Sequence, residues 1–226
     1  MSLPTGSHPT LIAALLPPRE GGRTLRLVVL AVLGSAFVAV CAQIQVPLQP
    51  VPITGQTFGV LIVGMTFGWR LGAATLLLYL AEGAVGIPVF AQLSAGPAVI
   101  AGPTGGYIVG FVLAAGLVGY LAERGWDRNF WLTALAMLIG NIAIYLPGVP
   151  WLAVWYAGSG AEFIGASGAE TPLGAAIATG VMPFLLGDAL KLALAARLMP
   201  FAWRLKARLG RAPLGRPGGK GSPPSA

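Results

Sequence analysis

Apolar residues fall in six runs parted by short polar or Gly/Pro-containing connectors. The runs predict an all-α membrane protein with six transmembrane helices, at about residues 25–43, 56–67, 71–84, 102–121, 129–147 and 172–199. The third run is short for a crossing of about 20 residues and must borrow turn residues from Trp69-Arg70. In the first, Ala31, Ser35 and Ala39 recur every fourth residue as a stripe of small side chains, which lets a second helix approach closely. The stripe serves either an internal contact or a partner protein. The stretch Val149-Pro150-Trp151 through Trp155-Tyr156 reads as an interfacial aromatic belt that follows the fifth run.

The connectors are as informative as the runs. Residues 43–56 carry three prolines and four glutamines and no charge, which predicts a stiff extended segment. It is either an ordinary connector or a cap over a ligand pocket, with amides from Gln45, Gln49 or Gln56. Residues 85–101 are also uncharged, and Gly102-Pro103-Thr104-Gly105-Gly106-Tyr107 opens the fourth run with free backbone N–H groups that suit an anionic group. The compact loop Glu123–Arg128 reads as a solvated turn. Residues 1–23 are expected to form a loose cytoplasmic arm, 24–200 the membrane domain, and 201–226 a basic Gly/Pro-rich cytoplasmic tail without order.

Composition agrees with the pattern. The chain is 56% hydrophobic and 9% charged, far below the roughly 25% charged of a soluble domain. Its 14 Lys and Arg against 7 Asp and Glu give +7, which at first suggests a nucleic-acid ligand. The basic residues gather at the termini and in two loops instead, so the partner is the lipid bilayer and no nucleic acid is expected. Both termini are then cytoplasmic, and the outer connectors hold no Lys or Arg. The apolar run ending at Cys41 exceeds the roughly 7–15 residues of a signal core and reads as a retained helix. A lone Cys41 excludes an internal disulfide and a multi-cysteine metal site.

Within the sixth run Asp188 and Lys191 stand three apart, on one helix face. Ionised groups at membrane depth mark a ligand or ion path, or else satisfy each other as a structural pin. Their depth stays open, since it depends on where the helix enters the membrane. Glu82, three residues from Tyr79, is a second intramembrane acid that lines a pocket or reaches the headgroups. No ATP-binding P-loop is present, and the single His8 lies in the arm, so neither self-energised transport nor histidine-based catalysis or metal binding is expected. A self-sufficient secondary carrier or oligomeric facilitator, and an intramembrane lipid enzyme using Glu82 and Asp188, are the alternatives to a capture subunit.

Val46-Pro47-Leu48-Gln49-Pro50-Val51-Pro52-Ile53-Thr54-Gly55-Gln56-Thr57, Gly86-Ile87-Pro88-Val89-Phe90, Gly102–Tyr107 and Gly187-Asp188-x-x-Lys191 occur in that order. Together they resemble the BioY family, the substrate-capturing S components of biotin transporters of the energy-coupling-factor type. The resemblance covers about residues 25–199. It implies a six-helix S-component fold in the cell inner (plasma) membrane. Biotin would bind in a cavity toward the outer face, closed by the loop after the first helix. It also implies a transmembrane coupling protein with two ATPase subunits as partners, docked on Ala31, Ser35 and Ala39, and no cofactor. Asp188 and Lys191 become ligand contacts. Biotin offers a carboxylate for Lys191 or helix N–H groups, and a ureido ring with two donors and one acceptor for Asp188 or amides. Its thiophane and alkyl parts want walls such as Tyr79, Phe90, Tyr107 and Trp151. Gln56, Glu82, Gln92 and Asn141 are further polar candidates.

Overall fold

A computed structural model describes residues 8–16, 22–158 and 161–209. Its helices are α1 (Leu11–Leu15), α2 (Arg23–Gln43), α3 (Gln56–Phe67), α4 (Trp69–Ala84), α5 (Pro97–Ala101), α6 (Gly105–Ala122), α7 (Phe130–Gly158), α8 (Ala161–Ala166), α9 (Pro172–Gly180) and α10 (Phe184–Leu209). Two-residue strands β1 (Gln45–Val46) and β2 (Ile53–Thr54) pair antiparallel between α2 and α3. The proline-stiffened connector is therefore a hairpin, with Gln45 opposite Thr54.

Among the described residues α2, α6 and α7 are each long and apolar enough to cross a membrane, and the α9–α10 pair makes a fourth span bent by 43°. The helices α3 and α4 are shorter, and α4 does take Trp69 and Arg70 into its first turn. Gly68 separates them with a φ of 84°, a conformation that an L side chain rarely adopts, so α3 reverses into α4 through one residue. α6 is the central helix, with α3, α4 and α7 packed around it. Its buried face is made of small residues such as Gly110, Ala114 and Ala115, which let the backbones approach.

Two expected helix boundaries move. The fifth span does not end at Pro147: α7 runs through Pro147 and Pro150 to Gly158. Each proline removes one N–H and frees a carbonyl one turn earlier, and at membrane depth such groups are tolerated where neighbouring helices cover them. The sixth span is not one helix. α9 ends at Gly180, and α10 starts at Phe184 directly after Pro183. A proline disfavours helical geometry in the residue before it, which places the break at 181–183. α10 then continues past residue 200 to Leu209; the remainder of the basic tail lies outside the described residues.

The middle of the small-residue stripe turns inward at Ser35. Ser35 is fully buried and its hydroxyl donates to Glu82 of α4, while Ala31 and Ala39 are half-buried. Ser35 thus ties α2 to α4 inside the bundle. The outward side of α2 carries exposed apolar residues such as Leu33 and Val40.

The opposite end of the bundle corrects two further expectations. Residues 8–16 are not loose: Leu11 is buried, α1 packs on α3, and the His8 amide donates to the Glu123 carbonyl at 2.6 Å. The rest of the arm, residues 1–7 and 17–21, lies outside the described residues. The 123–128 loop is not simply solvated either, since Asp127 is buried and accepts from the Trp203 indole. Burial pushes the Asp127 carboxyl above its ordinary range, against the pull of Trp203, Arg128 and His8.

Candidate functional site

A cavity of about 260 Å³ opens at the end of the bundle where the hairpin and the 85–104 connector lie. Its roof is the hairpin turn from Leu48 to Pro52, and its rim includes Phe90, Gln92 and Ser94. Apolar walls come from Ile108, Phe111, Ile144 and Phe184, with the Tyr107 ring edge-on to Tyr145 at 6.2 Å between centroids. Both covering connectors are uncharged, so a ligand entering here meets amides, hydroxyls and apolar surface first.

The inner wall is polar. Thr57, on the first turn of α3, and Tyr145 of α7 both line the cavity, and each is fastened to the ion pair behind it. Lys191 donates to Thr57 Oγ1 at 2.9 Å and to Asp188 Oδ1 at 3.2 Å. The Tyr145 hydroxyl donates to the other Asp188 oxygen. Asp188 and Lys191 do share a face, but neither lines the cavity directly. Their effect on it is to fix hydroxyl polarity. Thr57 accepts from Lys191 and keeps its own O–H free to donate. With its proton given to Asp188, Tyr145 presents an acceptor. The bond to Thr57 sets the pair level with the cavity end of α3, and the break at 181–183 starts α10 four residues before Asp188.

Of the other candidates, Gln56, Phe90, Gln92 and Tyr107 line the cavity. Tyr79 lies beneath it, fully buried, and ties two walls together. It accepts from Gln56 Nε2 at 2.7 Å and donates to the Val89 carbonyl at 2.8 Å, and its ring meets Phe90 edge-on at 5.5 Å. Gln56 Oε1 in turn accepts from Thr54 at 3.0 Å, so the hairpin end, α3, α4 and the Phe90 connector form one hydrogen-bonded chain. Glu82 is away from the cavity, held by Ser35. Trp151 is outside it too, because its indole donates to the Gly102 carbonyl at 2.9 Å and braces the α5–α6 turn. Asn141 is buried one turn before Tyr145 on α7 and is not part of the lining. Thr57 and Tyr145 are the residues that the sequence reading missed.

Tyr79→Phe is expected to lower stability by about 1–3 kcal/mol, because it leaves the Gln56 donor and the Val89 acceptor buried without their partner. A fall in the thermal midpoint of the detergent-purified protein, followed by tryptophan fluorescence, checks this. An unchanged midpoint would mean that the chain of bonds from Thr54 to Val89 carries no stability.

Among the described residues no cluster of His, Cys, Asp and Glu could hold a metal ion. The profile of the BioY family matches residues 11–208. A probable biotin transporter BioY of Pyrococcus horikoshii is 40% identical over 160 residues, covering 71% of this chain and 85% of that protein. The biotin transporter BioY of Thermotoga maritima is 34% identical over 182 residues, covering 80% and 96%. These relatives are transporters, not enzymes. The crystal structure of an S-component for biotin from an ECF-type ABC transporter superposes with a TM-score of 0.65 over 83% of this chain and 95% of that one. At 21% identity that likeness speaks for the fold. With the family profile spanning nearly all the described residues and two relatives matched over most of their length, the chain belongs to the BioY family.

Proposed function

We propose that this chain is the S subunit of a biotin uptake transporter, capturing biotin at the outer face for import with a transmembrane coupling protein and ATPase subunits. The observation that carries the reading is the cavity's division into an uncharged roof, aromatic and aliphatic walls, and one polarised end at Thr57 and Tyr145. A donor and an acceptor on the same wall suit the ureido edge of biotin, which offers a carbonyl oxygen and N–H groups. The thiophane ring and alkyl chain fit beside Phe111, Ile144 and Phe184. Biotin is bound and moved, with no cofactor. The relatives' names and the fold of the S-component for biotin support the same substrate.

In this reading the crossings are α2, α3, α4, α6, α7 and the bent α9–α10 pair, in the plasma membrane with both termini cytoplasmic. Supporting it, the connectors 44–55 and 85–104 hold no charge, whereas Arg70, Arg124 and Arg128 lie at the other end of the bundle. The chain has no P-loop, so in this reading ATP hydrolysis is supplied by partner subunits. Biotin titrated calorimetrically into the purified protein alone should bind one to one. In liposomes, uptake should need the coupling protein, the ATPases and ATP. Absence of any binding by a folded protein overturns the biotin assignment, and uptake by this chain alone on a proton gradient replaces the S-subunit reading with that of a secondary carrier.

A further inference from the structure

Gln43 is the last residue of α2, and its side chain is outside the cavity lining. It nevertheless holds the rim. Its Nε2 donates to the Phe90 carbonyl at 3.0 Å, and its Oε1 accepts from the Leu93 amide at 3.1 Å. A second Nε2 contact, 3.2 Å to the Ala39 carbonyl, anchors the amide to its own helix. One orientation of the amide alone satisfies a carbonyl on one side and an N–H on the other, so this geometry fixes which end is nitrogen.

The turn it grips is strained. Gln92 and Leu93 follow each other with φ of 59° and 54°, the left-handed region that non-glycine residues rarely enter. Two such residues in succession persist only where the surroundings hold them, and they gather at ligand clamps. Inside the turn, Ser94 supplies bonds from its amide and hydroxyl to the Ala91 carbonyl. From outside, Gln43 bonds Phe90, ahead of the strained pair, and Leu93, its second member. The turn carries Phe90, Ala91, Gln92 and Ser94 into the cavity lining. The residue after Gln43 starts the hairpin roof, where the Gly55 amide donates to the Ile44 carbonyl at 2.8 Å.

We propose that Gln43 is a positioning residue that locks the strained 90–94 turn to the root of the hairpin, joining the two covers of the cavity into one closed mouth and presenting Gln92 to the ligand. This rests on the biotin-capture reading. The clamp holds the closed state, so its loss should appear as faster escape of ligand rather than slower entry.

Gln43→Ala should release bound biotin about tenfold faster, as expected for the loss of two neutral hydrogen bonds. Gln43→Glu should not rescue it, since a carboxylate keeps the acceptor for Leu93 but faces the Phe90 carbonyl without a donor. Gln92→Ala should weaken binding by itself, and the Gln43→Ala, Gln92→Ala pair should release biotin no faster than the worse single variant. A Gln43 that merely stabilised α2 would give additive effects instead. Hydrogen exchange in ligand-free protein gives a readout independent of biotin: residues 90–94 should exchange about tenfold faster in Gln43→Ala. Wild-type release and wild-type exchange in Gln43→Ala overturn the clamp. If the wild type binds no biotin, the capture reading falls and the exchange measurement alone decides whether Gln43 holds the turn.

Discussion

Lys191→Ala is expected to weaken biotin binding by about 100-fold and to lower the thermal midpoint as well. Lys191 neutralises Asp188 from 3.2 Å, with side-chain exposures of 19% and 8%, so the pair lies in poor contact with water. Removing one partner of a buried pair leaves an uncompensated charge and costs about 3–5 kcal/mol, which is a factor of a hundred or more in an equilibrium constant. The cavity suffers with the fold, because Thr57 loses the donor that orients its hydroxyl. Asp188→Asn should be milder, about tenfold, since an amide oxygen can still accept from Tyr145. A double variant, Asp188→Leu with Lys191→Met, separates stability from recognition. Replacing a whole buried pair by apolar groups of similar size is often neutral for folding, so its midpoint should return toward wild type while binding stays lost. Calorimetry and thermal unfolding on the same preparations read both. A Lys191→Ala protein that binds biotin like the wild type would make the pair a structural pin without influence on the ligand.

What could be seen in the sequence divides along physical lines. The helical runs were visible because burial in lipid or protein demands a long apolar stretch, and the pairing of Asp188 with Lys191 because three residues on a helix share a face. The break at 181–183 was not, although Pro183 signals it, since the apolar run continues on both sides. That break puts the ion pair in the second turn of α10 instead of deep in one long helix. Pro147 and Pro150 look like stops, yet α7 passes through both, packed along α6. Thr57 and Tyr145 are single polar tips in apolar helices, and only the rotation of α3 and α7 about α10 tells that they meet Lys191 and Asp188. The inward turn of Ser35 likewise depends on Glu82, 47 residues away. Residues whose role follows from helical spacing were legible; those whose role follows from which helices become neighbours were not.

The same reliance on close neighbours makes Gly83→Ala the most damaging small substitution expected at the mouth. A methyl group at residue 83 would fall inside the Phe90 ring, which is almost fully buried between α4 and Tyr79. The ring cannot yield inward, because Tyr79 meets it edge-on and is itself bonded to Gln56 and Val89. It must therefore move toward the cavity that it lines, taking the 90–94 turn with it. Overpacking of this kind costs about 1–3 kcal/mol in stability, and a displaced Phe90 also takes up ligand space. Biotin affinity should fall by at least about tenfold, the equivalent of ~1.4 kcal/mol. Gly116→Ala on α6 provides the contrast: the nearest atom to an added methyl is the Ala73 Cβ at 3.7 Å, an ordinary contact. There the gain in helix propensity, up to about 1 kcal/mol, should show as an unchanged or higher midpoint with full binding. Shrinking the obstacle tests the cause directly. Adding Phe90→Leu to Gly83→Ala should recover part of the lost midpoint, and failure to recover any would place the damage in the α4 backbone instead, where the Gly96 amide bonds the Gly83 carbonyl at 2.7 Å.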